Sequence, residues 1–125
     1  MNDMMRTISE KIKATHEADG VVVKPYYRPE SLGPKDASIV IVPMNPPKQS
    51  DFASDQPLRK QLNYQINIEA SSKEKATQLA LTVEKILLEL DFFQLSGGLD
   101  DYFPDTGRYV DARRYRGYSD LYDIK

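Results

Sequence analysis

Residues 62–70, LNYQINIEA, alternate without a break. Leu62, Tyr64, Ile66, Ile68 and Ala70 fall on one side of an extended chain, and Asn63, Gln65, Asn67 and Glu69 fall on the other. Successive side chains of a strand point to opposite faces, so this stretch reads as a strand with one buried and one polar face. It commits the chain to a sheet covered on one side. A cover follows at once. Ser71 is placed to cap a helix, and Glu74, three residues on, to reach back and complete a capping box. Ala76, Leu79, Ala80, Val83, Ile86, Leu87 and Leu90 then recur at helical spacing and make a broad apolar face. Leu81 and Leu88 lie off that stripe and are left for a second contact.

The remaining segments fit around this strand–helix unit. NDMMRTISEKIKATHEADG (2–20) reads as a first helix, with Met5, Ile8 and Ile12 on one side and Gly20 as its stop. GVVVKPYYRPE has strand propensity, but Pro25 and Pro29 lack amide donors, which suits an edge strand. SLGPKD is turn chemistry, and ASIVIVPM (37–44) is a continuous apolar run expected of a strand covered on both faces. NPPKQSDFASDQP (45–57) reads as a long exposed loop, with Pro46, Pro47 and Phe52 as its candidate docking residues. Beyond the second helix, Phe92–Ser96 and Arg108–Arg116 are expected as two further strands, with Gly97-Gly98 as a turn. The order is α-β-β-β-α-β-β. It describes an α+β domain, a mostly antiparallel or mixed sheet with two helices packed on one face.

At 125 residues the chain is expected to form one domain, 1–125, with 117–125 as an extended tail. It has no cysteine, which removes disulfides, thiolate catalysis and zinc–cysteine sites together. No apolar run approaches the ~20 residues of a membrane helix, and the polar first twenty residues do not read as a secretory signal. Synthesis in the cytoplasm is the default expectation. Asp105-Thr106-Gly107 has the triplet of an aspartic protease, but DYFP precedes it and Arg108 follows, a context that favours a turn. His16, the single histidine, sits near a helix end among Thr15, Glu17 and Asp19, where the helix dipole accounts for it. Asp100, Asp101 and Asp105 lack the ligand spacing of a calcium loop. SGG at 96–98 has no P-loop lysine after it. The expectation is a protein without catalytic residues, cofactor or metal.

VDARRYRGYSDLYD (110–123) packs three arginines, three tyrosines and three aspartates into one stretch. Cations interleaved with aromatics are what single-stranded nucleic-acid binders use. From Asp100 to Lys125, however, six aspartates stand against four arginines and one lysine, a balance of −1 within a chain of net charge −2. Nearby carboxylates oppose counterion release from nucleic acid. Arginine and tyrosine are also enriched at protein interfaces, which the balance favours. Arg108, Arg113, Arg114, Tyr115, Arg116 and Tyr118 are the candidate interface residues; ordinary strand surface and a small single-stranded nucleic-acid-binding domain are the alternatives.

The tail GGLDDYFPDTGRYVDARRYRGYSDLYD (97–123) resembles the C-terminal signature of small minor capsid proteins of tailed phages, related in kind to the tail-terminator family at the head–tail junction. The element order is similar to that family's fold over nearly the whole chain. The resemblance implies a structural, non-enzymatic virion protein of a phage or prophage. Its copies would form a hexameric ring that caps the tail tube and meets the head connector, with DNA passing the lumen without specific binding. It carries no catalytic residues.

Overall fold

The computed structural model describes residues 4–33, 35–44, 46, 48–53 and 56–120, without the side chains of 48–53, 56–58 and 120. Helix α1 (Met4–Lys13) and a single 3-10 turn (His16–Ala18) lead into strands β1 (Val22–Pro25), β2 (Ser38–Pro43), β3 (Lys48–Ala53) and β4 (Gln56–Ala70). Helix α2 (Lys73–Glu89) and strands β5 (Phe93–Phe103) and β6 (Arg108–Asp120) follow. The strands form one sheet in the order β1-β2-β4-β6-β5, with β3 also beside β4. β1 and β2 are parallel and the other pairs antiparallel. The domain is α+β with a mixed sheet, as the patterning requires.

β4 holds the sheet together. One of its edges pairs with β6 from Arg59 to Ala70. Its other edge pairs first with β3, over 56–61, and then with β2, over 64–69. Leu62, Tyr64, Ile66, Ile68 and Ala70 are buried, as their alternation demands, against Met5, Ile8 and Ile12 of α1 and Leu79, Val83 and Leu87 of α2. Each such fully buried aliphatic side chain contributes about 1.5–3 kcal/mol. On β2, Ile39 and Ile41 stand beside Ile68 and Ile66 on this covered face, and Val40, on the opposite face, is buried too. Pro25 closes β1, which among the described residues pairs only with β2 and is an edge strand.

Several boundaries differ from the sequence reading, each for a local reason. The first helix stops at Lys13, where the Thr15 hydroxyl donates to the Ile12 carbonyl at 2.7 Å and competes with the next helical turn. The cap of α2 is Ser72, not Ser71; its hydroxyl accepts from the Lys75 amide at 3.1 Å. The third helical position is then Lys75, so no capping box forms, and Glu74 lies in the first turn, where the dipole favours an anion. Within the expected 45–57 loop, 48–53 form β3, antiparallel to β4, which begins at Gln56: Phe52 lies in β3 and is paired with Pro57, Pro46 precedes the strand, and Pro47 lies outside the described residues. Gly97-Gly98 is not a turn. β5 runs through it to Phe103, and the turn is Pro104–Gly107, where the amides of Thr106 and Gly107 donate to the Phe103 carbonyl. Residues 117–120, expected in a tail, continue β6 opposite 59–62 of β4; 121–125 lie outside the described residues.

Two positive-φ positions set the C-terminal half. Asp91 (φ 62°) takes the left-handed position after α2, and the next amide, Phe92, donates to the Leu87 carbonyl at 2.8 Å. This reversal drives Phe92 into the core, fully buried and stacked on Tyr64 with centroids 5.8 Å apart. Gly98 (φ 119°) ends the bulge that begins after Gln94, and a Cβ there would overlap the Ala112 carbonyl oxygen. Only glycine lets β5 approach β6 so closely there.

Candidate functional site

The register of β6 sorts its residues by parity. Tyr109, Asp111, Arg113, Tyr115 and Gly117 stand beside Ala70, Ile68, Ile66, Tyr64 and Leu62, hence on the helix-covered face. Val110, Ala112, Arg114, Arg116 and Tyr118 stand beside Glu69, Asn67, Gln65, Asn63 and Gln61 on the uncovered face, as does Arg108 by its alternation. The six candidate interface residues are therefore not brought together. Arg113 and Tyr115 point towards the helices; Arg108, Arg114, Arg116 and Tyr118 point away.

On the covered face Arg113 is held by carboxylates. Its Nε and Nη2 donate to the two oxygens of Asp111 at 2.9 and 3.1 Å, and its Nη1 donates to Glu84 of α2 at 3.1 Å. Burial works against the guanidinium's charge, but hydrogen bonding to Asp111 and its charge outweigh this and hold the pKa above the ordinary value. Beside it, burial pushes the Tyr115 phenol above its usual 10.0, against the opposing pull of the Arg113 charge. Tyr115 is 1% exposed and belongs to the core. This cluster ties β6 to α2.

The uncovered face is a ladder of amides and guanidiniums. Arg114 Nε donates to Gln65 Oε1 at 3.3 Å, and Arg116 Nε to Asn63 Oδ1 at 2.9 Å. Gln65 in turn donates to Asn67 at 2.9 Å. At one end the Arg59 guanidinium lies 4.5 Å over the Tyr118 ring, and Gln61 donates to the Tyr118 hydroxyl at 3.5 Å. At the other end Glu69 is bracketed by Arg28 at 2.7 Å and by the buried Arg108 at 3.7 Å. A hollow of about 450 Å³ lies over Val40, Gln65, Asn67 and Arg114, rimmed by Tyr26 and Arg28 on one side and Gly98 and Leu99 on the other. The even parity of 114, 116 and 118 was the signal in the sequence that could have separated this set from Arg113 and Tyr115.

The two sides of the sheet end differently. None of the eleven residues of β5 is buried, and Phe93, Leu99, Tyr102 and Phe103 are exposed apolar groups along it. At the opposite edge Val22, Tyr26 and Tyr27 are exposed. From 89 to 107 there are five carboxylates (Glu89, Asp91, Asp100, Asp101 and Asp105) and no cation, whereas 21–35 holds Lys24, Arg28 and Lys35 against Glu30 alone.

The other candidates occupy ordinary positions. Asp105 sits exposed in the β5–β6 turn, and Asp100 and Asp101 fall on opposite faces of β5. Among the described residues no group of three His, Asp or Glu side chains could hold a metal ion, and no helix is long and apolar enough to cross a membrane. His16 is solvent-exposed, 3.2 Å from Asp19.

No family model matches the chain, and no curated protein matches it either. Among solved structures, it is similar to a chain of the "Virion of native gene transfer agent (GTA) particle", with a TM-score of 0.66, 14% identity, and coverage of 94% of this chain and 95% of that one. At that identity the likeness is one of fold, spanning both chains almost end to end.

Proposed function

We propose that the protein is a structural component of a phage or phage-like virion, acting without catalysis at the head–tail junction. There its copies close into a ring that caps the tail tube and meets the head connector. The observation that carries this reading is the end-to-end likeness in fold to a virion chain, in a protein whose tail resembles a minor-capsid signature. The two edges of the sheet supply a mechanism. β5 is apolar and acidic, the β1 edge is apolar and basic, and they lie at opposite ends of the strand order. Contacts between unlike patches generate rings when the rotation closes, and opposite charge fixes which edge meets which. The resemblance implies six copies, and the β3–β4 pair is a candidate for contact with the tube.

Light scattering and negative-stain imaging of the purified protein, alone and with tail-tube subunits, test the reading. Rings, alone or on tube ends, are expected. A protein that stays monomeric and binds neither tubes nor connectors defeats it.

A further inference from the structure

The charge balance of the C-terminal segment averages over two sides of one strand. Asp111 holds Arg113 on the covered side, and Asp100, opposite Asp111 in the register, lies on that side as well; Asp101, opposite Val110, and Asp120, opposite Arg59, lie on the uncovered side, away from Arg114 and Arg116 in the register. On the uncovered side Arg114 and Arg116 are exposed, and among the described residues each is hydrogen-bonded to a neutral amide oxygen. An amide fixes a guanidinium in place while leaving its full charge and its outer N–H donors for a ligand. Arg59, over Tyr118 at the end of the ladder, stands opposite Asp120 in the register and is not counted with Arg114 and Arg116. The Glu69 carboxylate at the far end is answered by Arg28 and Arg108.

We propose that this uncovered sheet face binds the phosphodiester backbone of duplex DNA, without regard to base sequence, through Arg114 and Arg116. Arg114 and Arg116 are two residues apart on one strand face, about 7 Å. Adjacent phosphates of one DNA strand, which rise about 3.4 Å along the axis while winding around it, lie a similar distance apart. Beside Arg114 and Arg116 the face offers Asn63, Gln65 and Asn67, and the Tyr118 ring next to them is overlaid by the Arg59 guanidinium. An overlaid ring is a poor platform for the base stacking of single-stranded binders, whereas the amides suit hydrogen bonding to phosphate and sugar oxygens. The proposal rests on this face alone and does not require a ring.

The experiment is fluorescence anisotropy of a labelled mixed-sequence duplex, titrated with protein across a series of salt concentrations. Two neutralised phosphates give a slope of log K on log salt of about −1.8 per protein copy. Arg114→Gln with Arg116→Gln should weaken low-salt binding about tenfold or more and flatten the slope by about 1.8. A charge-matched pair on α1, Lys11→Gln with Lys13→Gln, should change neither. Gln65→Glu with Asn63→Asp, which sets a carboxylate beside each arginine without removing it, should abolish binding, with thermal unfolding as the check on folding. Absence of duplex binding at low salt overturns the proposal. So does binding indifferent to the arginine pair, or tighter binding to the single strand or to polyglutamate than to the duplex. Rings that do not bind DNA would sink this inference and leave the proposed function standing; a monomer that binds DNA would do the reverse.

Discussion

Gly117 offers the sharpest test of how β6 is seated. It lies in mid-strand beside Leu62 on the covered face, where neighbouring positions carry side chains. A Cβ built there would lie 2.5–2.6 Å from Cγ, Cδ1 and Cδ2 of Phe92. Carbon atoms pack best at about 3.5–4.0 Å, so Gly117→Ala drives a methyl about 1 Å into a ring face. The ring has nowhere to retreat, because Phe92 is fully buried and stacked on Tyr64, itself 2% exposed. Overpacking of this kind costs about 1–3 kcal/mol. The φ of Gly117 is not in the left-handed region, so the stiffer unfolded chain returns about 0.4–1 kcal/mol. The net expectation is a loss of about 1–2 kcal/mol, or roughly 1 M in the urea midpoint for a domain of this size. Urea unfolding followed by circular dichroism reads it directly. Trimming the ring in Phe92→Leu also costs stability, but the double variant should lose less than the sum of the singles, by at least about 0.5 kcal/mol. An unchanged or raised midpoint for Gly117→Ala, or strict additivity in the double variant, would refute the account.

Ser72→Ala removes the hydroxyl that accepts from the Lys75 amide and should cost about 1 kcal/mol by the same assay, whereas Ser71→Ala should be nearly silent. Tyr115 predicts a pH dependence. Its folded pKa lies above the ordinary 10.0, so above that pH the folded state keeps a proton the unfolded state has lost. This contribution is complete below pH 10 and declines as pH rises through the folded pKa. Urea midpoints of the wild type and Tyr115→Phe at about pH 8 and about pH 11 should therefore converge at the higher pH; a constant gap would contradict the burial argument.

Where a segment forms its structure from its own periodicity, the sequence was legible. β4 and α2 carry the two clearest periods in the chain, and their buried residues match them position by position. β3 has no such period. It is a strand because β4 extends past β2 and offers an edge, and that condition lies outside residues 48–53. The adjacent serines 71 and 72 both suit a cap, and the geometry of entry into α2 chose the second. Gly97-Gly98 suits a turn or a bulge equally, since both need positive φ; the partner strand decides. The site was half legible. The Arg–Tyr stretch was visible as a group, but adjacent strand residues face opposite ways, so Tyr115 went to the core and Arg113 to Asp111 and Glu84.

The long β4–β6 ladder also dictates how the chain must reach its native state. Its partners, from Ala70 with Tyr109 to Arg59 with Asp120, are about 40 to 60 residues apart in sequence, with α2 and β5 between them. The loop entropy of that closure must be met before the central pairing returns anything. Until β6 has been synthesised and docked, β4 presents an unpaired edge and the core lacks Tyr115. A growing chain on the ribosome would therefore hold its longest strand open until nearly all of the domain has emerged. Folding should wait until β6 has emerged, and that interval is when chains are most prone to pair with one another instead of with themselves.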